Sequence, residues 1–273
     1  MLYSGYIISC SIFILLTFNS FGQNNNAAGG RSAAMSHSSL CLEDLWSVFN
    51  NQAGLAGYGK TAAGIYCEQR YMLKDLQSKA IALAVPSKSG VFGISYSSFG
   101  FNQYSENKTG LAFSKAIFKN FSAGIQLDYL YNHIEGDYNE YSVLTFEAGI
   151  LAKISKKFSF AAHIFNPVNQ SKDPDTRELN SSLIKAGLLF KPIEKILITS
   201  EIEKNFNCKP QLKAGTEYNI VKNIYLRGGL STNPVINSFG FGFYWRKIQV
   251  DFASSIHQTL GYSPQFSLVY NLK

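Results

Sequence analysis

Residues 121–130 read FSAGIQLDYL, and their alternation decides the fold class. Phe121, Ala123, Ile125, Leu127 and Tyr129 share one parity; Ser122, Gly124, Gln126 and Asp128 share the other. Successive side chains of a β-strand point to opposite faces, so this segment has one apolar face and one small or polar face. The same pattern recurs about fourteen times from Thr61 onward, near 61–70, 77–86, 90–99, 108–118, 121–133, 141–155 and 157–165, then near 181–191, 194–204, 208–220, 223–232, 236–246, 247–257 and 263–272. The spacing leaves room for membrane-crossing strands of roughly 9–11 residues joined by connections of four or five. An even number of antiparallel strands brings the two chain ends to one side. The expectation is an all-β fold, a transmembrane antiparallel β-barrel of about 14 strands in a bacterial outer membrane.

The chain begins with an export signature. Tyr6 to Phe18 (YIISCSIFILLTF) is almost wholly apolar, and Ser20-Phe21-Gly22 offers small residues for cleavage, which makes 1–22 a signal peptide and Gln23 the first mature residue. Thirteen residues at about 1.5 Å each are too few to cross a bilayer as a helix. Cys10 follows a lipobox-like Ile-Ile-Ser, but it lies inside the apolar stretch, which argues against lipidation. The domain reading is then 1–22 signal peptide, 23–60 an N-terminal segment, and 61–273 the barrel.

Composition supports a lipid-facing wall. Only 16% of the 273 residues are charged and 14% are aromatic, whereas soluble domains average about 25% charged. The net charge of +7 suits anionic outer-membrane lipid or lipopolysaccharide, or an acidic protein partner; export argues against nucleic acid. Cys41, Cys67 and Cys208 remain after signal removal, and their spacing suits neither a disulfide framework nor a metal site. They read as small buried hydrophobes, with one bridge through Cys41 left open. No cofactor or metal is expected.

Junctions such as PSKSG, FKN, SKK, KPIEK, NIVKN and WRK are tight, whereas GFNQYSENK, EGDYNE, NPVNQSKDPDTRELN and HQTLGYSP read as longer loops. Short periplasmic turns and longer outer loops are the usual asymmetry, with both termini periplasmic. Parity assigns Phe158, Phe160, Ile164, Ile184, Leu188, Phe190, Val250, Phe252, Phe266, Leu268, Tyr270 and Leu272 to lipid. It assigns a lumen polar network to Asp128, Glu147, Lys185, Glu201, Glu203, Lys213, Glu217, Arg227, Arg246 and Asp251, with Lys153 and His257 on the same parity. Mixed signs indicate ion pairs across the interior, not the carboxylate pair of a glycosidase.

Gly54 to Thr61 reads GLAGYGKT, a literal phosphate-loop pattern, but Thr61 onward looks like strand and no strand–loop–helix context surrounds it. The wider segment Gly29–Gly59 explains it better. Gly30-Arg31-Ser32-Ala33-Ala34-Met35, Glu43-Asp44, Trp46, Phe49, Asn51 and Ala53-Gly54-Leu55 resemble the N-terminal signature of the long-chain fatty acid transporter (FadL) superfamily of outer-membrane proteins, which includes the PorV and PorQ components of type IX secretion in Bacteroidota. Ser36 stands where that signature has Gly, and Gln52 where it has Pro. The resemblance implies a fourteen-stranded barrel whose N-terminal segment folds into the lumen as a hatch. The residues agree: Leu42 to Phe49 carries a short apolar helical face, with Ser39 as a plausible N-cap.

Three functions follow as expectations. The first is a non-enzymatic accessory subunit of an outer-membrane secretion or assembly complex, suggested by compactness and an occupied lumen. The second is a channel for hydrophobic small molecules, in which Gly228-Gly229 and Gly240-Phe241-Gly242 would allow a kink in the wall. The third, an outer-membrane enzyme built on His163 or His257, lacks any nucleophile context. The acidic stretch Asp173-Pro174-Asp175 reads as a loop without further cation ligands. The tripeptides Asn107-Lys108-Thr109 and Asn180-Ser181-Ser182 match the glycosylation acceptor pattern by chance.

Overall fold

A computed structural model describes residues 27–135, 141–167, 182–206 and 208–272. The expected signal peptide, Cys10, Gln23 and the Asp173–Asp175 loop lie outside those residues. After the N-terminal segment the chain runs through β1 (Ala62–Gln69), β2 (Gln77–Pro86), β3 (Val91–Phe101), β4 (Tyr104–Phe118), β5 (Phe121–Ile134), β6 (Tyr141–Lys153) and β7 (Phe158–Phe165). It continues through β8 (Leu183–Ile193), β9 (Ile196–Asn205), β10 (Gln211–Val221), β11 (Ile224–Ser231), β12 (Ile236–Trp245), β13 (Ile248–His257) and β14 (Gly261–Asn271). Each strand pairs antiparallel with its chain neighbours, and β1 pairs with β14 from Ala62↔Asn271 to Glu68↔Gln265. The sheet therefore closes on itself and leaves no unpaired edge, the condition for a sheet to span hydrocarbon.

β5 shows why the sequence takes this form. Ile125, Leu127 and Tyr129 are at least half exposed on the outside, while Gln126 and Asp128 are buried inside. The usual soluble arrangement is inverted because lipid is the solvent for the outer face. Along the proposed lipid face, Phe158, Ile184, Leu188, Phe252, Tyr270 and Leu272 all point outward. Among the described residues no helix is long and apolar enough to cross a membrane. Replacing Leu127 by Arg is expected to destabilise the bilayer-embedded protein by about 2–4 kcal/mol, read as a lower urea midpoint in lipid vesicles, whereas Leu127→Phe should be near neutral.

The two rims differ. One rim, called here the terminal rim, holds the start of β1 and the end of β14. Its turns are Ser87–Gly90, Lys119-Asn120, residues 154–157, Glu194-Lys195, Lys222-Asn223 and Arg246-Lys247. Asn223 and Arg246 take positive φ there, as two-residue hairpin turns require. Arg246 is thus exposed in a turn, stacked over Trp245 at 5.4 Å, and does not belong to the lumen network as parity had placed it. The parity argument fails because the strand ends at Trp245, one residue earlier than expected.

At the opposite, far rim two expected loops are shorter than the sequence suggested. Phe101 pairs with Tyr104, so Asn102-Gln103 is a two-residue turn and GFNQYSENK is mostly strand. His257 pairs with Gly261, so HQTLGYSP also belongs largely to strands. Polar residues in these strand ends disguised them as loop: above the apolar belt a strand no longer needs a greasy face.

Candidate functional site: a hatch clamped to the lumen wall

The lumen is filled by the N-terminal segment. It contains three short helices, α1 (Gly30–Ala34), α2 (Ser47–Asn50) and α3 (Leu55–Tyr58), with a 3-10 turn at Gln52–Gly54 between the last two. The expected helix over Leu42–Phe49 is only partly formed. Ser39 is not its N-cap; its backbone N–H donates to Glu201 and its hydroxyl accepts from Ser32. The apolar side chains of 42–49 are instead drawn to two sides of the barrel. Leu45, Trp46, Val48, Phe49 and Leu55 pack on small residues of β1, β2 and β4, among them Ala62, Ala82 and Ala112. Met35, Leu40, Cys41, Leu42 and Ala53 pack on Leu151, Ala161, Leu189 and Leu197 of the opposite wall.

The residues of the hatch motif each have a structural use. Gly30 donates its N–H to Ser267, and a side chain there would collide with Asp251. Trp46 meets Tyr66 edge-on with ring centroids 6.0 Å apart. The side chain of Asn51 caps the 3-10 turn through the Ala53 N–H and donates to the carbonyls of Leu40 and Ile150. The Ala53 carbonyl accepts from Ser114 and Ser122 on the wall. Gly54 sits against the Leu42 carbonyl and Ser47. Ser36, which replaces the glycine of the superfamily signature, still takes the left-handed backbone that glycine favours, with φ of 51°.

The phosphate-loop pattern has no nucleotide geometry. Gly54–Thr61 runs through the 3-10 turn and α3 to a left-handed Gly59 and then directly into β1. Helix precedes strand, so no loop of N–H groups faces an anion at a helix start. Lys60 is exposed and lies over the Tyr58 ring.

The polar interior falls into three ionic clusters, and each one grips a different part of the hatch. In the first, the Arg31 guanidinium donates two hydrogen bonds to Glu217 at 2.8 and 2.7 Å and one to Asp44 at 3.3 Å. Arg227 donates to the same Glu217 at 2.6 Å and to Asp251 at 2.7 Å. In the second, Glu203 is paired to Lys213 at 2.6 Å and Lys185 at 3.2 Å. Its neighbour Glu201 accepts the backbone N–H groups of Ser39 and Leu40, each at 3.1 Å. In the third, Glu147 receives Lys108, the His163 ring nitrogen at 2.9 Å and the Gln52 amide at 2.7 Å. Lys108 also faces Asp128 at 3.6 Å.

Apart from Arg246, the lumen residues named from parity are buried inside the barrel. Lys153 pairs with Glu43 near the terminal rim, and His257 lies at the far rim against Tyr71. Three participants were missed: Lys108, Gln52 and Asp44. Lys108 opens the strand expected over 108–118 and shares the parity of Gly110, Ala112 and Ser114, so the period alone was enough to place it inward. Gln52 and Asp44 sit on irregular chain, where no period assigns a face.

Burial pushes the Cys41 thiol up to about 12, and it donates to the Gly187 carbonyl. Cys41, Cys67 and Cys208 are all free, so the bridge left open for Cys41 is not formed with either. Burial, aided by nearby Lys213 and Lys185, holds His37 down to about 3 and therefore neutral. His163 is engaged by Glu147, and the His257 ring accepts the N–H groups of Thr259 and Leu260. Among the described residues no cluster of His, Cys, Asp and Glu is arranged to hold a metal ion.

The glycines proposed as a kink serve a different purpose. β11 and β12 stay in unbroken register from Ile224↔Phe243 to Ser231↔Ile236. Gly229 lies against the backbone of Met35 and Ser36, Gly240 against Ala34, and Gly242 against the Arg227 guanidinium. They clear space for hatch and ion pairs, as do Gly124 beside Gln52–Ala53 and Gly215 beside Met35. A small open cleft of about 20 Å³ remains beside the first described hatch residues, lined by Ala27, Ala28, Tyr66, Ala80 and Phe99 together with the polar Arg70, Ser78, Lys79, Ser97 and Ser98.

The architecture, a closed fourteen-strand barrel with a helix-bearing N-terminal segment inside, is that of FadL-type barrels. No protein-family model and no curated protein matches the sequence. Solved structures do match the fold. The CymD monoaromatic hydrocarbon channel is 10% identical, with a TM-score of 0.68 over 91% of this chain and 98% of that one. The Pseudomonas putida toluene transporter TodX is 10% identical, with a TM-score of 0.67 over 90% and 98%. A Pseudomonas aeruginosa FadL homologue is 11% identical, with a TM-score of 0.64 over 90% and 98%. Two of these relatives in fold are a hydrocarbon channel and a toluene transporter.

Proposed function

We propose that the protein is an outer-membrane channel for small hydrophobic molecules, with 1–22 removed on export and the terminal rim facing the periplasm. The observation that supports this reading is a closed fourteen-strand barrel with a hatch clamped in its lumen, the fold of the solved hydrocarbon channels, with a small cleft beside the hatch. A water-filled porin would have an open axis; a clamped hatch suits a solute that binds before it passes. The cleft offers the Tyr66 and Phe99 rings for apolar contact, with Arg70 over the Phe99 ring at 4.6 Å, beside the polar Ser78, Lys79, Ser97 and Ser98. The named fold relatives, toluene and monoaromatic hydrocarbon channels, make a monoaromatic hydrocarbon the first solute to try. Deleting the gene is expected to slow uptake of labelled toluene at limiting concentration, with restoration by the wild-type gene and not by Ala28→Trp, which fills the cleft. Equal uptake with and without the gene, across a panel of apolar solutes, would sink the reading.

A second reading is an accessory subunit of an outer-membrane secretion or assembly complex, type IX-like by its hatch motif. The short described turns at both rims and the sealed axis favour it, since a scaffold needs neither capture loops nor a passage. Purification in mild detergent separates the two: a stoichiometric protein partner supports the subunit, and recovery as a lone barrel removes it.

A further inference from the structure

We propose that the terminal rim is a collar for anionic phospholipid headgroups. All six of its turns carry an exposed Lys or Arg, represented by Lys88, Lys119, Lys156, Lys195, Lys222 and Lys247. Two carry a second cation beside the first, Lys156-Lys157 and Arg246-Lys247, and Glu194 is the one carboxylate among these turns. Among the described residues only Lys153 of this rim forms an ion pair, with Glu43 of the hatch.

The rest of the described residues do not share this excess. Inside the lumen the three clusters hold more carboxylates than cations. The far rim mixes signs, with Lys74 beside Asp75 and Arg70 paired to Glu68. Among the described residues the cationic excess is therefore concentrated in one ring.

Two features identify the partner as lipid. First, the cations recur at every hairpin around the circumference, which matches an annulus of small headgroups; a docked protein would meet one sector. Second, the ring sits directly on the apolar belt. Phe118 and Phe121 flank Lys119, Phe158 stacks on Phe190 at 4.5 Å beside Lys157, and Trp245, 55% exposed, lies under Arg246. Aromatic side chains mark the membrane interface, so the ammonium groups lie at phosphate depth, within a Debye length of the surface. With the terminal rim periplasmic, the ligands are phospholipids of the inner leaflet. The inference does not depend on what the barrel transports.

Trp245 reports on it directly. Trp46, the other tryptophan, is buried in the lumen and adds a constant background. The full chain is reconstituted in vesicles of phosphatidylcholine containing either brominated phosphatidylglycerol or brominated phosphatidylcholine, and quenching of Trp245 is compared. At low salt the anionic lipid should be preferred at this rim by about fivefold, falling towards equality in 0.5 M salt. The variant K119Q/K156Q/K157Q/K195Q/K247Q should lose the preference at low salt. Equal quenching by the two lipids in the wild type at low salt would overturn the proposal. So would a preference that survives both salt and the substitutions. If the variant does not fold, the salt series on the wild type alone decides.

Discussion

Arg31→Met should cost about 3–5 kcal/mol of unfolding free energy and loosen the hatch, because it strips the first cluster of one of its two cations. The balance is unfavourable without it. Asp44, Glu217 and Asp251 would share Arg227 alone, and Asp44 would have lost its charged partner. Each of these carboxylates is shielded from water, so the uncompensated charge is not screened as it would be on a surface. Met has a similar length and preserves the packing, which separates the charge effect from a cavity. The expected readings are a lower urea midpoint in vesicles, faster protease cleavage within the hatch, and steps of conductance in planar bilayers where the wild type is quiet. A graded series makes the test specific. Arg31→Lys keeps the charge but loses the two-pronged contact with Glu217 and should fall in between. Arg31→Met combined with Glu217→Gln should recover part of the loss, because one unpaired carboxylate is removed with the cation. A wild-type midpoint and a closed bilayer trace for Arg31→Met would show that apolar packing around Met35 and Trp46 holds the hatch unaided.

How much of this was readable in advance varies with the regularity of the chain. Strand positions followed from a period of two, and the structure places most strand ends within two or three residues of those read from sequence. FSAGIQLDYL was informative because its two faces differ in chemistry and because lipid and lumen impose opposite demands. The lumen network followed from the same parity: Glu147, Glu201, Glu203, Glu217 and Asp251 lie on apolar strands at inward positions, where a carboxylate must find a cation. Arg246 misled because a turn breaks the period. Above the belt the signal also weakens, which is why Phe101–Tyr104 read as loop although the strands run to a two-residue turn. The hatch was legible only as a segment. Its path is set by contacts distant in sequence, such as Ser39 and Leu40 with Glu201 or Gln52 with Glu147, and no local pattern encodes them.

Adjacent glycines on β11 offer the sharpest test of that path. Gly228 and Gly229 have opposite parity in one strand, yet a side chain at each meets a different world. At Gly228 the nearest atoms to an added Cβ are 3.9 Å away or more, which is ordinary contact; at Gly229 it would overlap the Met35 carbonyl carbon and the Ser36 backbone nitrogen. Neither obstacle is a flexible side-chain tip, so the hatch backbone itself would have to retreat. Overpacking of this kind costs about 1–3 kcal/mol when the surroundings can adjust, and more when they cannot. Here a retreat would also pull on Arg31 and on Ser39, which are tied to Glu217 and Glu201. Gly229→Val should therefore lower the urea midpoint well below wild type and expose the hatch to protease. Gly228→Val should leave both unchanged or raise the midpoint slightly, since a β-branched residue suits a lipid-facing strand better than glycine does. If the two variants behave alike, Met35 does not lie against β11, and the hatch follows another route through the lumen. If only Gly229→Val opens the barrel, glycine placement inside the wall records the course of the plug, and the wall and hatch form one packed unit.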